Sequence, residues 1–163
     1  GSDWKLSYTV IGDTVNLASR LEGANKQYGT QIMLNEKTFE QAKDIIVAHV
    51  LDCIAVKGKK KGVPVYHLIG LVGEVEPDII KGCQLYTQAF ELYQKEKWAE
   101  AMELFKQAAP LLPPPYDVKK GPCENMIERC EALVGASPEK RMEVLELDTP
   151  DAEWDGVWRL HSK

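Results

Sequence analysis

The sequence predicts a mixed α/β (α+β) fold, in which a sheet with flanking helices is followed by a small α-helical region. One observation is that β-branched and aromatic runs alternate with helical spacing up to about residue 70. Another is that aromatic and small residues recur at helical spacing after about residue 82. The charge also changes, because residues 1–70 hold nine Lys/Arg and seven Asp/Glu, whereas the remaining 93 hold eleven and eighteen. A shift of this size predicts two units with different roles.

The first unit is predicted to open with a strand and a helix. Leu6–Ile11 is rich in β-branched and aromatic residues and ends at a glycine, which predicts a strand. Asp13 is a favourable N-cap, and apolar residues at helical spacing predict a helix through about Gln27. Tyr28-Gly29 is expected to close that helix, since glycine is favoured just after a helix.

A short strand, a second helix and a β-hairpin are predicted next. Gln31–Leu34 has strand composition, and Asn35 is placed to cap a helix over Glu36–Ala42. Two longer strands follow, Ile45–Val56 with a bend near residues 51–52, and Val63–Ile69. The loop between them is basic, and its glycines suit a turn.

The second unit is predicted to be helical. Two helices separated by Lys95–Lys97 carry aromatic and small residues on one face each, which is typical of a tetratricopeptide pair. Only one such unit is visible and about three are needed for a stable solenoid, so we expect the pair to pack on something else. Glu124–Val134 is predicted to form a third helix. The predicted division is 1–70 for the first unit, 71–81 for a linker, 82–136 for the helical extension and 137–163 for an acidic tail with tryptophans.

Composition narrows the functional classes. A hydrophobic fraction of 44% and a charged fraction of 28% are typical of a soluble globular protein, and a net charge of −5 argues against nucleic acid as the main partner. No apolar run approaches the ~20 residues of a membrane helix and no secretory signal pattern is present, so we expect a cytoplasmic location, compatible with a membrane anchor elsewhere in a parent protein. The four cysteines lack metal-ligand spacing and are expected to be reduced thiols.

The segment Tyr8–Arg20 carries the strongest sequence signal. Its strand-like half passes directly into the predicted helix, which contains Asn16 and Arg20. These two residues are four apart, so on a helix they lie on one face, one turn above the other. An amide and a guanidinium presented together indicate an anion or phosphate site.

This segment, the pair Tyr28-Gly29 and the pattern Leu-Asp-x-Ile-x-Val-Lys-Gly-Lys at 51–59 together resemble class III adenylate/guanylate cyclases. The resemblance covers residues 7 to about 70, which correspond to the C-terminal part of the catalytic domain of that family. Several motifs occur in the family's order and spacing, so the signal is specific. The resemblance implies a ferredoxin-like sheet with flanking helices for the first unit.

The resemblance also implies roles for four residues. Thr9 occupies the position that reads the purine, and a threonine there goes with adenine, which implies ATP. Asn16 resembles the asparagine that orients the ribose, and Arg20 resembles the arginine that stabilises charge on the phosphoryl oxygens as pyrophosphate leaves. Lys57 resembles a loop lysine that contacts the triphosphate.

Structural alternatives stand beside these roles. Thr9 is also a favoured strand residue. Arg20, taken without the motif, is equally well read as a solvated helix arginine paired with Glu22 or Asp13. Lys59, Lys60 and Lys61 are interpreted as solvated loop charges that raise the local potential.

Three positions of the second matching pattern are interpreted as structural. Asp52 is expected to anchor a turn rather than touch substrate. His49 and Ala55 stand where the family often has arginine. We expect these departures to weaken an ion pair or triphosphate contacts without removing a core catalytic residue.

The metal-binding side of the family's site has no counterpart here. In that family two aspartates and an adenine-contacting lysine precede the matched motifs, so the ligands of Mg²⁺ or Mn²⁺ are expected outside this chain. The chain alone is therefore not expected to cyclise ATP. Its expected partners are ATP and either a second copy, as a homodimer, or the N-terminal half of the same catalytic domain.

Two functions remain open from the sequence. The first is part of an adenylate cyclase that converts ATP to 3′,5′-cyclic AMP and pyrophosphate, with a guanylate cyclase as a weaker variant. The second is a non-catalytic regulatory or dimerisation module whose helical extension binds a protein partner. A packing or dimer-stabilising role is favoured for that extension over a separate partner-binding role. The two tryptophans of the tail are expected to fold back onto the helices.

Overall fold

A computed structural model describes residues 25, 28–55, 61–115 and 118–160. The predicted strand Leu6–Ile11, the predicted helix from Asp13 as far as residue 24, and most of the basic loop lie outside the described residues. Within the described residues the fold is mixed α and β, as predicted, with four strands and five assigned helices.

The sheet has the strand order β1-β3-β2-β4. Its strands are β1 (Met33–Asn35), β2 (Ile46–Ala55), β3 (Val63–Leu71) and β4 (Trp158–Arg159). β3 is antiparallel to both β1 and β2, which confirms the predicted hairpin, whereas β4 is parallel to β2. The last strand therefore returns from the C-terminal tail to the sheet built by the first unit.

The β2–β3 ladder contains an irregularity at the place where the sequence predicts a bend. Its register shifts between Val50 and Asp52, so that Leu51 is the additional residue on β2. Leu51 and Asp52 are nevertheless both fully buried. The bulge directs this part of β2 toward the helical segment rather than toward solvent.

The helix after β1 follows local signals in the sequence. This helix, α1, spans Glu36–Ala42, as predicted, and the side chain of Asn35 caps it by accepting from the Thr38 N–H over 2.8 Å. The Phe39 ring stacks on the Tyr66 ring of β3 with centroids 4.0 Å apart. α1 is thereby fixed against one face of the sheet.

The helical segment contains the predicted pair and third helix. The pair is α2 (Pro77–Gln94) and α3 (Trp98–Ala108), and the third helix, α4, spans Pro122–Leu133. α2 begins inside the predicted 71–81 linker, because a proline is well tolerated in the first helical turn and starts the helix there. The connector at residues 95–97 is as predicted.

A further helix, α5, occupies the segment that the sequence predicts only as an acidic tail. It spans Pro138–Leu145, and Ser137 caps it by accepting from the Lys140 N–H over 3.1 Å. Serine at the N-cap followed by proline at the first helical position is the local signal that predicts this helix start.

One hydrophobic core runs from the sheet into the helices. It combines sheet residues such as Ile54 and Val65 with the aromatic residues of α2 and α3 and with Trp154 of the tail. Trp154 packs edge-on against Tyr93 with centroids 5.1 Å apart, which confirms that the tail folds back onto the helices. None of the described helices is both long and apolar enough to cross a membrane.

Candidate functional site

The four predicted site residues, Thr9, Asn16, Arg20 and Lys57, lie outside the described residues. Their proposed roles therefore stay predictions. The structure does describe two parts of the chain that adjoin them in sequence. These are the end of the helix predicted to carry Asn16 and Arg20, and the β-hairpin whose loop contains Lys57.

The end of the predicted helix lies at Tyr28-Gly29, as expected. Asn25 and Tyr28 are helical, and the carbonyl of Asn25 accepts from the N–H groups of Gly29 and Thr30 over 2.9 and 3.0 Å. Gly29 has φ +72°, the left-handed conformation that glycine adopts without steric cost after a helix. The Thr30 hydroxyl donates to the Asn25 side-chain oxygen over 2.7 Å, so this helix end is closed by side chains as well.

Tyr28 belongs to a buried polar cluster, which we define as Tyr28, Asp52 and Arg129. One oxygen of the fully buried Asp52 carboxylate accepts from the Tyr28 hydroxyl and, over 2.7 Å, from Nη1 of Arg129. The other oxygen accepts from the Cys53 backbone N–H over 2.8 Å. The carboxylate thus has a charge-assisted partner and two neutral donors, the kind of satisfaction that a buried charge requires.

Arg129 reaches this cluster from α4. Its Nη2 donates to the Tyr28 hydroxyl over 3.0 Å, and Nη1 also donates to the Tyr93 hydroxyl of α2 over 3.2 Å. The guanidinium carbon lies 3.9 Å from the ring centroid of Trp158 in β4, a cation–π contact. A single side chain therefore contacts the predicted active-site helix, β2, α2 and β4.

Burial keeps the tyrosines in and beside the cluster protonated. Burial, reinforced by the Asp52 charge, raises the pKa of Tyr28 well above its usual value, so Tyr28 stays a neutral donor. Burial likewise raises the pKa of Tyr93. The side chain of Arg129 is 11% exposed and that of Asp52 is 0% exposed, so the pair is screened little by solvent.

A cleft of about 370 Å³ opens beside the cluster. Its walls include Tyr28, Arg129 and Trp158, together with Glu128 and Val144. The fork of Arg129 is engaged by the Asp52 carboxylate and the two tyrosine hydroxyls. The cleft therefore does not present this guanidinium as an anion site.

The other positions singled out in the second pattern are structural in the described residues. Asp52 is predicted to anchor a turn. Its buried carboxylate also binds Tyr28 and Arg129, which the prediction does not include. His49 is buried with its ring centroid 4.5 Å from that of Tyr86, and Ala55 is buried with its carbonyl accepting from the Leu160 N–H over 3.0 Å. His49 therefore lies between sheet and helices.

The four cysteines are free thiols, as predicted. Burial raises the pKa of Cys83 to about 11 and that of Cys123 and Cys130 to about 12, so these thiols remain protonated and poorly nucleophilic. Within the described ranges, no group of three or more His, Cys, Asp or Glu residues is arranged to hold a metal ion.

Arg129 is the residue of the cluster that the sequence does not reveal. Tyr28 and Asp52 both belong to sequence patterns that resemble the cyclase family, but Arg129 lies 77 residues beyond its partner Asp52 in the chain. The only local signal is that Met126, Cys130 and Leu133 form the buried side of α4, which places Arg129 next to that side. A lone arginine beside an apolar stripe does not identify its partner.

Comparison with known proteins finds similarity to three proteins named as adenylate cyclases. Adenylate cyclase 1 of Rhizobium meliloti (strain 1021) is 40% identical over 75 residues, 46% of this chain. The terminal-differentiation specific adenylate cyclase of Dictyostelium discoideum is 30% identical over 119 residues, 69% of this chain. The adenylate cyclase of Anabaena cylindrica is 36% identical over 67 residues, 39% of this chain. No family model and no solved structure matches the chain.

The similarities cover only a small part of each relative. The chain spans 11%, 6% and 13% of the lengths of the three relatives. The Dictyostelium alignment, at 69% of the chain, is longer than either residues 1–70 or residues 71–163, so it must include part of both. The comparisons support a relationship to adenylate cyclases, and in one relative that relationship extends into the helical segment.

Proposed function

We propose that this chain is the C-terminal part of a class III adenylate cyclase catalytic domain followed by a helical extension. The parent protein would convert ATP to 3′,5′-cyclic AMP and pyrophosphate. The observation that carries the proposal is the similarity to three adenylate cyclases, which agrees with the motif string from Tyr8 to Arg20. The mixed fold of the described residues is compatible with a partial domain of this kind.

In this proposal each predicted residue acts on a different part of ATP. Thr9 accepts from the exocyclic amine of adenine, and Asn16 holds the ribose so that its 3′-oxygen lies in line with the α-phosphorus. The 3′-oxygen forms the new bond to the α-phosphorus, its proton is released, and the bond to pyrophosphate breaks. Arg20 stabilises the charge that develops on the phosphoryl oxygens, and Lys57 contacts the triphosphate.

A divalent cation would neutralise phosphate charge in the complete enzyme. In the family that the sequence resembles, the metal-binding aspartates precede the matched motifs, so the proposal assigns Mg²⁺ or Mn²⁺ to residues outside this chain. The site would then be completed either by a second copy or by the N-terminal half of the domain. The proposed location of this part is the cytoplasm, where ATP is available.

Cyclic AMP formation by the full-length parent protein tests the proposal. We expect Arg20→Ala to lower kcat at least about 100-fold, because a positioned donor to a developing charge is removed. Lys61→Ala is the matched control, since it removes a basic side chain that is proposed to be a solvated loop charge. Comparing the rates with ATP and with GTP as substrate tests the proposed role of Thr9 in reading the purine.

The opposite result has a definite meaning. If the parent protein forms no cyclic nucleotide and Arg20→Ala does not change ATP binding, or if the parent is active and Arg20→Ala retains the kcat of the wild type, the cyclase proposal is wrong. The non-catalytic regulatory module, whose helical extension binds a protein partner, then becomes the better account.

A further inference from the structure

We propose that Arg129 is a positioning residue through which the helical extension fixes Tyr28, at the end of the helix predicted to carry Asn16 and Arg20. This inference rests on the proposed cyclase function, because it assigns the extension a task in that same site. It makes the extension a working part of the catalytic unit. Arg129 would act through Tyr28 and would not touch ATP.

The first step of the argument is the path of contacts. Arg129 donates to Asp52 over 2.7 Å and to the Tyr28 hydroxyl over 3.0 Å, while Tyr28 itself donates to Asp52. The three side chains form a closed triangle, so Tyr28 cannot move without breaking two of its hydrogen bonds. Tyr28 is 1% exposed, which leaves it no solvent alternative for its hydroxyl.

The second step is an independent contact one residue further along. A Cβ placed on Gly29 would lie 2.2 Å from the carbonyl oxygen of Lys120 and 3.0 Å from Cα of Gly121. Backbone therefore meets backbone at this point, just before α4 begins at Pro122. The end of the predicted helix is held by the extension both through a side-chain cluster and through close backbone packing.

The third step is the distance to the reacting groups. The sequence predicts one helix up to about Gln27, and Arg20 precedes Tyr28 by eight residues, which would correspond to about 12 Å along such a helix. In the proposal, a displacement at Tyr28 is passed along this predicted helix to Arg20 and Asn16. Misplacement by about 1 Å can reduce a reaction about 100-fold.

The chemistry of Arg129 explains why arginine is needed. Its planar fork donates to Asp52 and to Tyr28 from two different nitrogens, and its face stacks on Trp158 at 3.9 Å. A lysine would keep the charge and most of the aliphatic stem. It would present a single ammonium and would lose the planar pair of nitrogens that binds Asp52 and Tyr28 at the same time.

The test uses the full-length parent protein with Arg129→Lys and, as matched control, Arg141→Lys. Arg141 of α5 makes a comparable forked ion pair, donating to Glu96 over 2.6 and 3.1 Å, and it also donates to two backbone carbonyls of the tail. It does not belong to the Tyr28–Asp52–Arg129 cluster. We expect Arg129→Lys to lower kcat about 10- to 100-fold with a much smaller change in KM for ATP, and Arg141→Lys to leave both within about twofold.

A second variant covers the case in which Arg129→Lys does not fold. Tyr28→Phe removes only the hydroxyl from the triangle and keeps the buried ring, and it should lower kcat in the same direction. If folded Arg129→Lys and Tyr28→Phe both retain the kcat of the wild type, or if Arg141→Lys lowers kcat equally, the inference is wrong.

A structural readout separates this inference from the cyclase proposal. Amide hydrogen exchange over residues 13–27 should accelerate in Arg129→Lys and remain unchanged in Arg141→Lys. An inactive wild-type parent with this exchange pattern would overturn the cyclase proposal and retain the anchoring. An active parent whose exchange over residues 13–27 is the same in both variants would overturn the anchoring and retain the cyclase.

Discussion

The hydroxyl of Tyr86 donates a hydrogen bond of 2.7 Å to the carbonyl oxygen of Leu51, and both side chains are fully buried. Tyr86 lies in α2, and Leu51 is the additional residue at the bulge of β2. Because the bulge interrupts the ladder there, this carbonyl finds its partner in a helix. The sheet and the helical segment are joined by a specific polar contact within an apolar core.

Tyr86→Phe is expected to lower the free energy of unfolding by about 1–3 kcal/mol, since the Leu51 carbonyl stays buried without its donor. Chemical denaturation of the two proteins measures the difference. Tyr66→Phe is the control, because the Tyr66 ring stacks on Phe39 and the stack is retained. Equal stability of Tyr86→Phe and the wild type would mean that the hydrogen bond contributes nothing net.

Asp52→Asn is expected to cost about 3–5 kcal/mol of unfolding free energy, because it leaves the Arg129 charge buried without its counter-ion. Urea denaturation gives the value. Glu128→Gln is the matched control, since the Lys120–Glu128 pair has side chains 57% and 55% exposed and is screened by water. We expect no measurable change in the free energy of unfolding for Glu128→Gln. Similar losses in the two variants would show that burial does not make the Asp52–Arg129 pair more important for stability than an exposed pair.

Gly29→Ala is expected to be much more destabilising than Gly73→Ala. Both glycines have positive φ, +72° and +88°, so both alanines carry a backbone cost of about 1–2 kcal/mol. At Gly29 the added Cβ also meets the Lys120 carbonyl at 2.2 Å, whereas at Gly73 it meets nothing within 4 Å. Thermal unfolding of the two variants isolates the steric part, and equal melting temperatures would show that residues 118–121 yield to the methyl group.

Local signals predict much of the described fold. The bounds of α1, the β2–β3 hairpin, the bend at the bulge and the break between α2 and α3 all follow from caps, glycines and periodicity that act within a few residues. α5 is not among the predicted helices, although Ser137 and Pro138 provide the local signal of a helix start. The N-terminal bounds of α2 and α4 differ because a proline opens each helix.

Long-range pairing accounts for what the sequence does not predict. The partner of Asp52 is Arg129, and the partner of β2 beyond the hairpin is β4, more than 100 residues later in the chain. No spacing in the sequence predicts either of these two pairings, because tertiary contacts depend on how the whole core packs. The prediction of the candidate site has no structural counterpart to compare with, because its four residues lie outside the described part of the chain. Thr9, Asn16, Arg20 and Lys57 therefore stay predictions.

A buried histidine, His49, and a partly buried one, His67, predict a pH dependence of stability. His49 of β2 and His67 of β3 are paired across the hairpin with ring centroids 5.2 Å apart. Burial lowers the pKa of His49 to about 4, and burial together with His49 lowers that of His67 to about 3. Around them lie the Val50 carbonyl, which accepts from Nδ1 of His49, and the Tyr86 ring, while Cys123 and Glu124 line a small cavity beside His67.

The sign follows from the unfolded chain, in which each histidine titrates near pH ~6.5. Below that pH the unfolded state binds more protons than the folded state, so the free energy of unfolding falls as the pH falls. The loss should begin near pH ~6.5, grow toward pH ~4, and amount to roughly 3 kcal/mol for His49 alone. Urea denaturation between pH 7 and pH ~4.5 measures it, in a range where most carboxylates remain ionised.

His49→Phe isolates the histidine contribution, because it keeps an aromatic ring against Tyr86 and removes the titrating group. We expect this variant to lose less stability than the wild type between pH ~6.5 and pH ~4.5, whatever its stability at neutral pH. His67, which still titrates in the variant, should leave a residual slope. If the variant and the wild type lose stability in parallel over this range, the buried imidazole of His49 is not the source of the acid sensitivity.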